Sequence, residues 1–277
     1  MSATRRALSL IRTYILVFFL IAVIVAPIAW IGLSSFKPTS ELLRMPPTFW
    51  PETFTTEHYR HLLLGTHFLV YFRNSLIVSF ASTIVVVTLT VLAGYSVFRC
   101  KYWGREAFLS MLLGIYVFPR ILLILSLYPI FASVNLVDTL VSLVIVYVAI
   151  TAPLNVFIIR AFFTSVPTEL EDSAFVDGAS RLQTLFRIFL PLVTPGIGAV
   201  AINSFLMSYS EYLFASLLII SESQKTLPVG ISQFLQQYDI NWGAIAAASM
   251  LIIIPPVIGF AAVGKYFVKG LTAGAIK

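Results

Sequence analysis

The 277-residue sequence holds one cysteine, Cys100, which excludes a disulfide framework and any cysteine-rich metal site. It has no G-x-x-x-x-G-K-[ST] stretch. The nearest glycine cluster, 270–277, lacks the required Gly-Lys pair, so the chain carries no phosphate-cradling loop of that kind. Neither G-x-S-x-G nor H-E-x-x-H occurs, which leaves an intramembrane hydrolase almost no support. Charge is scarce too: 11% of residues are charged, against about 25% in soluble domains. An ion-coupled secondary transporter would need intramembrane carboxylates or broken helices around a coupling ion, and an internal repeat. Only Glu211 qualifies, and no repeat is visible.

What the sequence has in abundance is apolar residues, at 59%. They fall into six runs, at 14–33, 74–98, 108–128, 139–159, 196–220 and 242–263, each near the ~20 residues that span a bilayer. Pro119-Arg120 interrupts the third run, and Pro153 and Pro255-Pro256 kink the fourth and sixth. Such kinks often surround cavities in transporters. The first run follows Arg5, Arg6 and Arg12 and is too long for a signal-peptide core, which predicts an uncleaved first span. Basic residues sort by side. Arg99, Lys101, Arg105, Arg160, Arg181, Arg187, Lys265, Lys269 and Lys277 join the N-terminal arginines on one side. Lys37, Arg44, Arg60, Arg73, Arg120 and Lys225 fall toward the other. The excess predicts an all-α membrane protein with both termini cytoplasmic. The net charge of +6 then reads as membrane-flanking charge, with no nucleic-acid surface. Residues 34–73 become an extracytoplasmic loop, 221–241 a polar loop and 264–277 a cytoplasmic tail, within one transmembrane domain over 1–277. His58, His61 and His67 lie in the first loop. With no cysteine or carboxylate cluster beside them, they read as interfacial residues and not a zinc set.

One soluble-looking island, 166–191 within a cytoplasmic loop at 161–191, stands out. Thr168 with Glu171 has the spacing of a capping box, and Glu169, Glu171 and Asp172 crowd the first turn, where the helix dipole favours carboxylates. Asp177-Gly178 supplies a left-handed C-terminus, and Ser180 with Gln183 opens a second helix. Leu182, Leu185, Phe186 and Phe189 give that helix one apolar face, and Leu190-Pro191 closes it.

In this island Gly178, Ile188, Leu190 and Pro191 resemble the E-A-A-x-x-x-G-x9-I-x-L-P loop of permease subunits of bacterial binding-protein-dependent ABC importers. Asp177-Gly178-Ala179-Ser180 matches the loop's usual form, while the E-A-A triplet reads Asp172-Ser173-Ala174. Phe54-Thr55 to Tyr59, Asn74-Ser75-Leu76, Ala93-Gly94-Tyr95 and the tail 270–277 resemble the carbohydrate-importer branch, including the smaller permease of maltose- and glycerol-phosphate-type systems. The resemblance implies a type I importer fold with six transmembrane helices, acting with a second permease (a heterodimer), two ATPase subunits and an extracytoplasmic solute-binding protein. Glu169, Glu171, Asp172, Ser173, Ala174, Asp177, Gly178 and Ala179, with Leu271, Thr272 and Lys277 of the tail, would contact the ATPases. ATP and magnesium would be bound by those partners, and this chain would hold no cofactor. The cargo would be a sugar or oligosaccharide, with a glycerol-phosphate-type anion as the alternative.

Polar groups within the spans are few. Arg120 and Glu211 each cost about 2.5–3.5 kcal/mol or more facing lipid at mid-helix, so they line a translocation path, form a structural pair or snorkel outward. Tyr209 and Tyr212 flank Glu211 where the family has a tryptophan-asparagine-glutamate-aromatic run. Asn155, Asn203 and Tyr147 either meet sugar hydroxyls or join helices.

Overall fold

The computed structural model describes residues 3–100, 102–236 and 240–273, with side chains over 10–100, 102–234 and 240–264. In chain order the helices are α1 (Ala3–Ser34), α2 (Thr39–Leu42), α3 (Glu57–Gly65), α4 (Phe68–Arg99), α5 (Arg105–Val117), α6 (Arg120–Ser133) and α7 (Leu140–Thr164). They continue as α8 (Glu169–Val176), α9 (Arg181–Thr184), a π-helical turn at Leu185–Phe189, α10 (Leu190–Leu192), α11 (Thr194–Tyr209), α12 (Leu213–Leu218), α13 (Leu227–Gln236) and α14 (Trp242–Ala273). Among the described residues four helices, α1, α4, α7 and α14, are long and apolar enough to cross a membrane. Counting two bent pairs as one span each raises the number to six. One pair is α5 with α6, bent by 97° at the predicted Pro119 break. The other joins Arg181–Leu192 to α11 at 80°.

Several boundaries depart from the sequence expectation. α4 begins six residues before Asn74, and α14 runs ten residues beyond Val263 into the expected tail. The expected fifth span at 196–220 is divided at Ser210–Tyr212 into α11 and α12. The expected polar loop at 221–241 contains α13, whose Leu227 and Val229 are buried.

Two compact units result. In the first, residues 1–68 and 231–254, the segment after α1 is folded around buried charges. Lys37 donates to the Thr48 carbonyl and lies 4.8 Å from the Trp30 ring centroid. Glu41 accepts from the Thr48 hydroxyl and the Glu52 amide, and the Thr48 hydrogen bond holds its carboxyl below the usual range. His58 hydrogen-bonds the Lys37 carbonyl at 2.8 Å and packs against Gly243, where a Cβ would overlap the imidazole. Among the described residues no three potential ligands gather to hold a metal. A cavity of about 350 Å³ opens beside Trp30, Lys37, Glu41 and Trp242, but both charges are spent on the loop itself.

In the second unit, residues 69–230 and 255–277, α7 is the central helix, with 56% of its span buried. One apolar core joins Val78 of α4, Leu143 and Tyr147 of α7, Phe131 of α6 and Phe214 of α12. A second joins Val86, Val91 and Tyr95 of α4 to Ile159 and Phe163 of α7 and to Leu185 and Phe189. Where α4 and α7 meet, a Cβ on Gly94 would run into Ile159 and Phe163. Transfer of apolar surface contributes about 1.5–3 kcal/mol per buried side chain of this size in water. Within a bilayer, close packing must supply the specificity instead.

Candidate functional site

The island is a bent helix pair. α8 ends in a Schellman motif: the Ala179 amide bonds the Ala174 carbonyl at 2.9 Å and the Gly178 amide bonds the Phe175 carbonyl at 3.0 Å. Gly178 sits at φ +80°, the left-handed conformation expected of it. Ser180 then forms both halves of its capping box. Its Oγ accepts from the Gln183 amide at 3.3 Å, and its own amide donates to Gln183 Oε1 at 2.8 Å.

The first capping box is absent. Thr168 is itself helical and its side chain caps nothing. Its intended partner, Glu171, points inward to α4 instead. Tyr95 Oη donates to Glu171 Oε1 at 2.8 Å, and Arg99 Nε pairs with Glu171 Oε2 at 3.0 Å. The Arg99 and Glu171 side chains are 8% and 11% exposed. Arg99 also donates to the Pro167 carbonyl at 3.4 Å, and its guanidinium lies 4.7 Å from the Phe189 ring and 4.6 Å from Phe98. Tyr95, Phe163 and Phe189 pack against one another, with centroids 5.5–6.0 Å apart. A long-range ion pair with aromatic walls was the stronger competitor for Glu171. Removing one partner from such a buried pair costs about 3–5 kcal/mol.

This sorts the island residues by face. Glu171 and Ala174 lie on the inner face, buried against their own chain. Glu169, Asp172, Ser173 and Asp177 are exposed, and Ala179 is half-buried. Phe175 is 41% exposed and Val176 88%. Of the expected apolar face on the second helix, Leu185 and Phe189 are buried while Leu182 and Phe186 are exposed, because the π-helical turn changes the period midway. Arg181 reaches back to the Cys100 sulfur at 3.4 Å. Leu271 and Thr272 lie in the last turn of α14. Their side chains, and the whole of Lys277, lie outside the described residues.

The candidate path residues divide into two groups. Asn155, fully buried, donates to the Thr151 carbonyl at 2.9 Å and Ser204 Oγ at 3.0 Å, and it accepts from Asn203 at 3.1 Å. The two asparagines thus meet each other and join α7 to α11. Glu211 is 8% exposed and accepts from the Phe214 amide at 3.0 Å and the Ala215 amide at 3.2 Å. It caps α12 at the break in the span, where the helix dipole favours a carboxylate. Tyr147 is wholly buried in the apolar core beside Leu143 and Phe214. Tyr209 stacks on Phe205 at 5.3 Å, while Tyr212 is 44% exposed. Arg120 opens α6 at an exposed position, and among the described residues no ion pair joins it to Glu211.

At the far end of α4, sequence reasoning missed a cluster that the Asn74-Ser75-Leu76 run had marked. Asn74 Nδ2 donates to the carbonyls of Ser223 and Lys225 at 2.9 and 3.0 Å. Ser75 Oγ accepts from the Leu227 amide at 2.8 Å, and Tyr71 donates to Glu222 at 2.8 Å. Nearby, Asp138 at φ +61° accepts from the Ile220 and Ser221 amides at 2.9 and 2.8 Å, and from the Ser221 hydroxyl.

Residues 10–272 match the family model described as binding-protein-dependent transport system inner membrane component. The chain is 35% identical to the inner membrane ABC transporter permease protein YcjP of Escherichia coli (strain K12), covering 100% of each. It is 35% identical to the trehalose/maltose transport system permease protein MalG of Thermococcus litoralis, covering 91% of each. Its fold matches a chain in the crystal structure of a bacterial ABC transporter involved in the import of the acidic polysaccharide alginate. The TM-score is 0.78 at 19% identity, over 96% of this chain and 99% of that one. The helix pair pinned to α4, the spans around it and these likenesses agree: the chain belongs to the binding-protein-dependent transport system inner membrane component family, as a multi-pass permease subunit of the cytoplasmic membrane.

Proposed function

We propose that this permease passes a sugar or oligosaccharide, delivered by an extracytoplasmic solute-binding protein, across the membrane in a complex with a second permease and two ATPase subunits. The observation that carries the reading is the island's outer face. Val176 and Phe175, with Leu182 and Phe186 beyond the bend, expose apolar surface, and the α8 carboxylates Glu169 and Asp172 are exposed as well. A rigid, mixed apolar and acidic knob on a two-helix base is a shape for docking into a partner's groove. Both termini and the island lie on the cytoplasmic side in this reading, supported by the basic residues at Arg99, Arg105, Arg160, Arg181 and Arg187. ATP and magnesium reside on the partners, since no nucleotide loop stands in this sequence.

Mechanically, closure of the ATPases carries the island with it, and the spans attached to it rock to open the cavity outward. The test is purification of the complex. The chain should bring an ATPase with it, hydrolysis should rise when solute-loaded binding protein is added, and the chain alone should hydrolyse no ATP above background. Hydrolysis by this chain alone, or failure to bring down any ATPase, refutes the division of labour. An anionic cargo is the second reading, favoured by Arg120, whose charge Glu211 does not offset. Competition for uptake by glycerol phosphates, with none by neutral saccharides, selects it.

A further inference from the structure

The geometry points to α4 as a rigid rod that links the island at one end of the bundle to the 222–227 loop at the other. This deepens the proposed function and rests on the island docking on an ATPase.

Three observations converge on it. First, one side chain of α4, Arg99, grips the island at three separated points: the Pro167 carbonyl before α8, Glu171 within it, and the Phe189 ring beyond the bend. Tyr95, one turn earlier, adds its hydrogen bond to Glu171. A thrust on the island must therefore either move α4 or part a buried ion pair, and parting strands two charges away from water. Second, the opposite end of α4 is latched in the same manner. Tyr71, Asn74 and Ser75 hold the 222–227 loop through Glu222, Ser223, Lys225 and Leu227. Third, the helix between these attachments is stiff. Among the four long spans, α1, α7 and α14 contain proline and α4 does not. From Tyr71 to Arg99 it covers about 42 Å at 1.5 Å per residue. A displacement of one end is thus delivered to the other.

Coupling through such a rod is reciprocal. In the proposed orientation the 222–227 loop lies on the face where the binding protein delivers solute. Seating of that protein shifts the loop, α4 and the island as one body, and an island seated in closed ATPases acts back on the loop. Arg99, Glu171 and Asn74 are positioning residues for this stroke; none of them touches the cargo.

The experiment uses the full complex in nanodiscs. Arg99→Gln and Asn74→Ala are compared with wild type for co-purification of the ATPase, basal hydrolysis, and stimulation by loaded binding protein. Both should assemble and hydrolyse at the basal rate, while stimulation and uptake fall at least tenfold. Arg99→Lys, which keeps the charge, should recover most of the loss. In a Cys100→Ser background, Tyr95→Cys with Glu171→Cys should likewise lose stimulation, and a short bis-methanethiosulfonate bridge between them should restore it. Full stimulation in both Arg99→Gln and Asn74→Ala overturns the rod. So does a bridge that abolishes the remaining uptake, because the island and α4 would then have to separate during transport. If no ATPase co-purifies with wild type, the proposed function itself fails, and that outcome is distinct from either.

Discussion

Replacing Gly178 is the sharpest test of the island, because only backbone strain is at stake there. A Cβ built on Gly178 meets nothing within 4 Å, so a new side chain enters open space. What it does meet is φ +80°, which disfavours an L-residue by roughly 1–2 kcal/mol, more when the residue is β-branched and less for asparagine. Since one or two kcal/mol corresponds to a factor of about 5–30 in an equilibrium ratio, the ratio of correctly bent to misbent island should fall by that factor. The expected order is graded: Gly178→Asn close to wild type, Gly178→Ala reduced about tenfold, and Gly178→Val without measurable coupling. Membrane insertion should be unchanged throughout, because the strain is confined to a turn between two short helices. The assay is ATP hydrolysis by the assembled complex with and without loaded binding protein, alongside the amount of chain in the membrane. Equal activity in the Asn, Ala and Val variants refutes the bend as a coupling geometry. Equal loss in all three refutes the argument from φ.

Cys100, beside Arg181 at the end of α4 that the proposed orientation places in the cytoplasm, should escape a membrane-impermeant thiol reagent in intact cells and react in inside-out vesicles; efficient labelling from outside reverses the orientation. Asn155→Leu should lower the thermal stability of the purified chain by about 0.6–1.7 kcal/mol through the lost α7–α11 hydrogen bonds, with the KM for uptake unchanged; a raised KM at unchanged stability would put Asn155 on the cargo path. Asp138 is raised by burial but lowered more by hydrogen bonds from Ser221 and Ile220, so its carboxyl titrates below the ordinary 3.8. Its stabilisation is therefore complete above that value and lost only as pH falls through the lower folded one. The Asp138→Ser variant should accordingly be less stable than wild type by the same margin from pH 8 to 5, the margin closing only in stronger acid. A margin that changes between pH 8 and 5 contradicts this.

How much of this could be read in advance depended on how far each group's partner lay along the chain. Gly178 and the Ser180–Gln183 box were legible because their chemistry closes within three or four residues. Thr168 with Glu171 has the same local spacing, yet the carboxylate is claimed by Tyr95 and Arg99, more than 70 residues earlier in the chain. Nothing local signals that competition. Glu211 was read as a residue within a continuous span, because hydropathy does not register a break that the residue itself caps. The spacing of Asn155 and Asn203 left helix joining and cargo contact open until the two amides were found against each other. α13 was hidden because the polar run 221–226 just before it dominates the stretch, although α13 itself is largely apolar and buries Leu227 and Val229.

Val176, almost fully exposed on a helix outside the spans, also has a bearing on the life of the protein in the cell. Phe175 of the same helix, and Leu182 and Phe186 beyond the bend, also leave apolar surface uncovered by this chain. A copy that never meets its companion displays the kind of surface that chaperones and proteases survey. If these residues dock the permease on its ATPase as proposed, they would also mark an orphan for removal, and its abundance would follow that of the subunit that shields them. Synthesis in excess would be trimmed after insertion, without any separate signal to count the subunits.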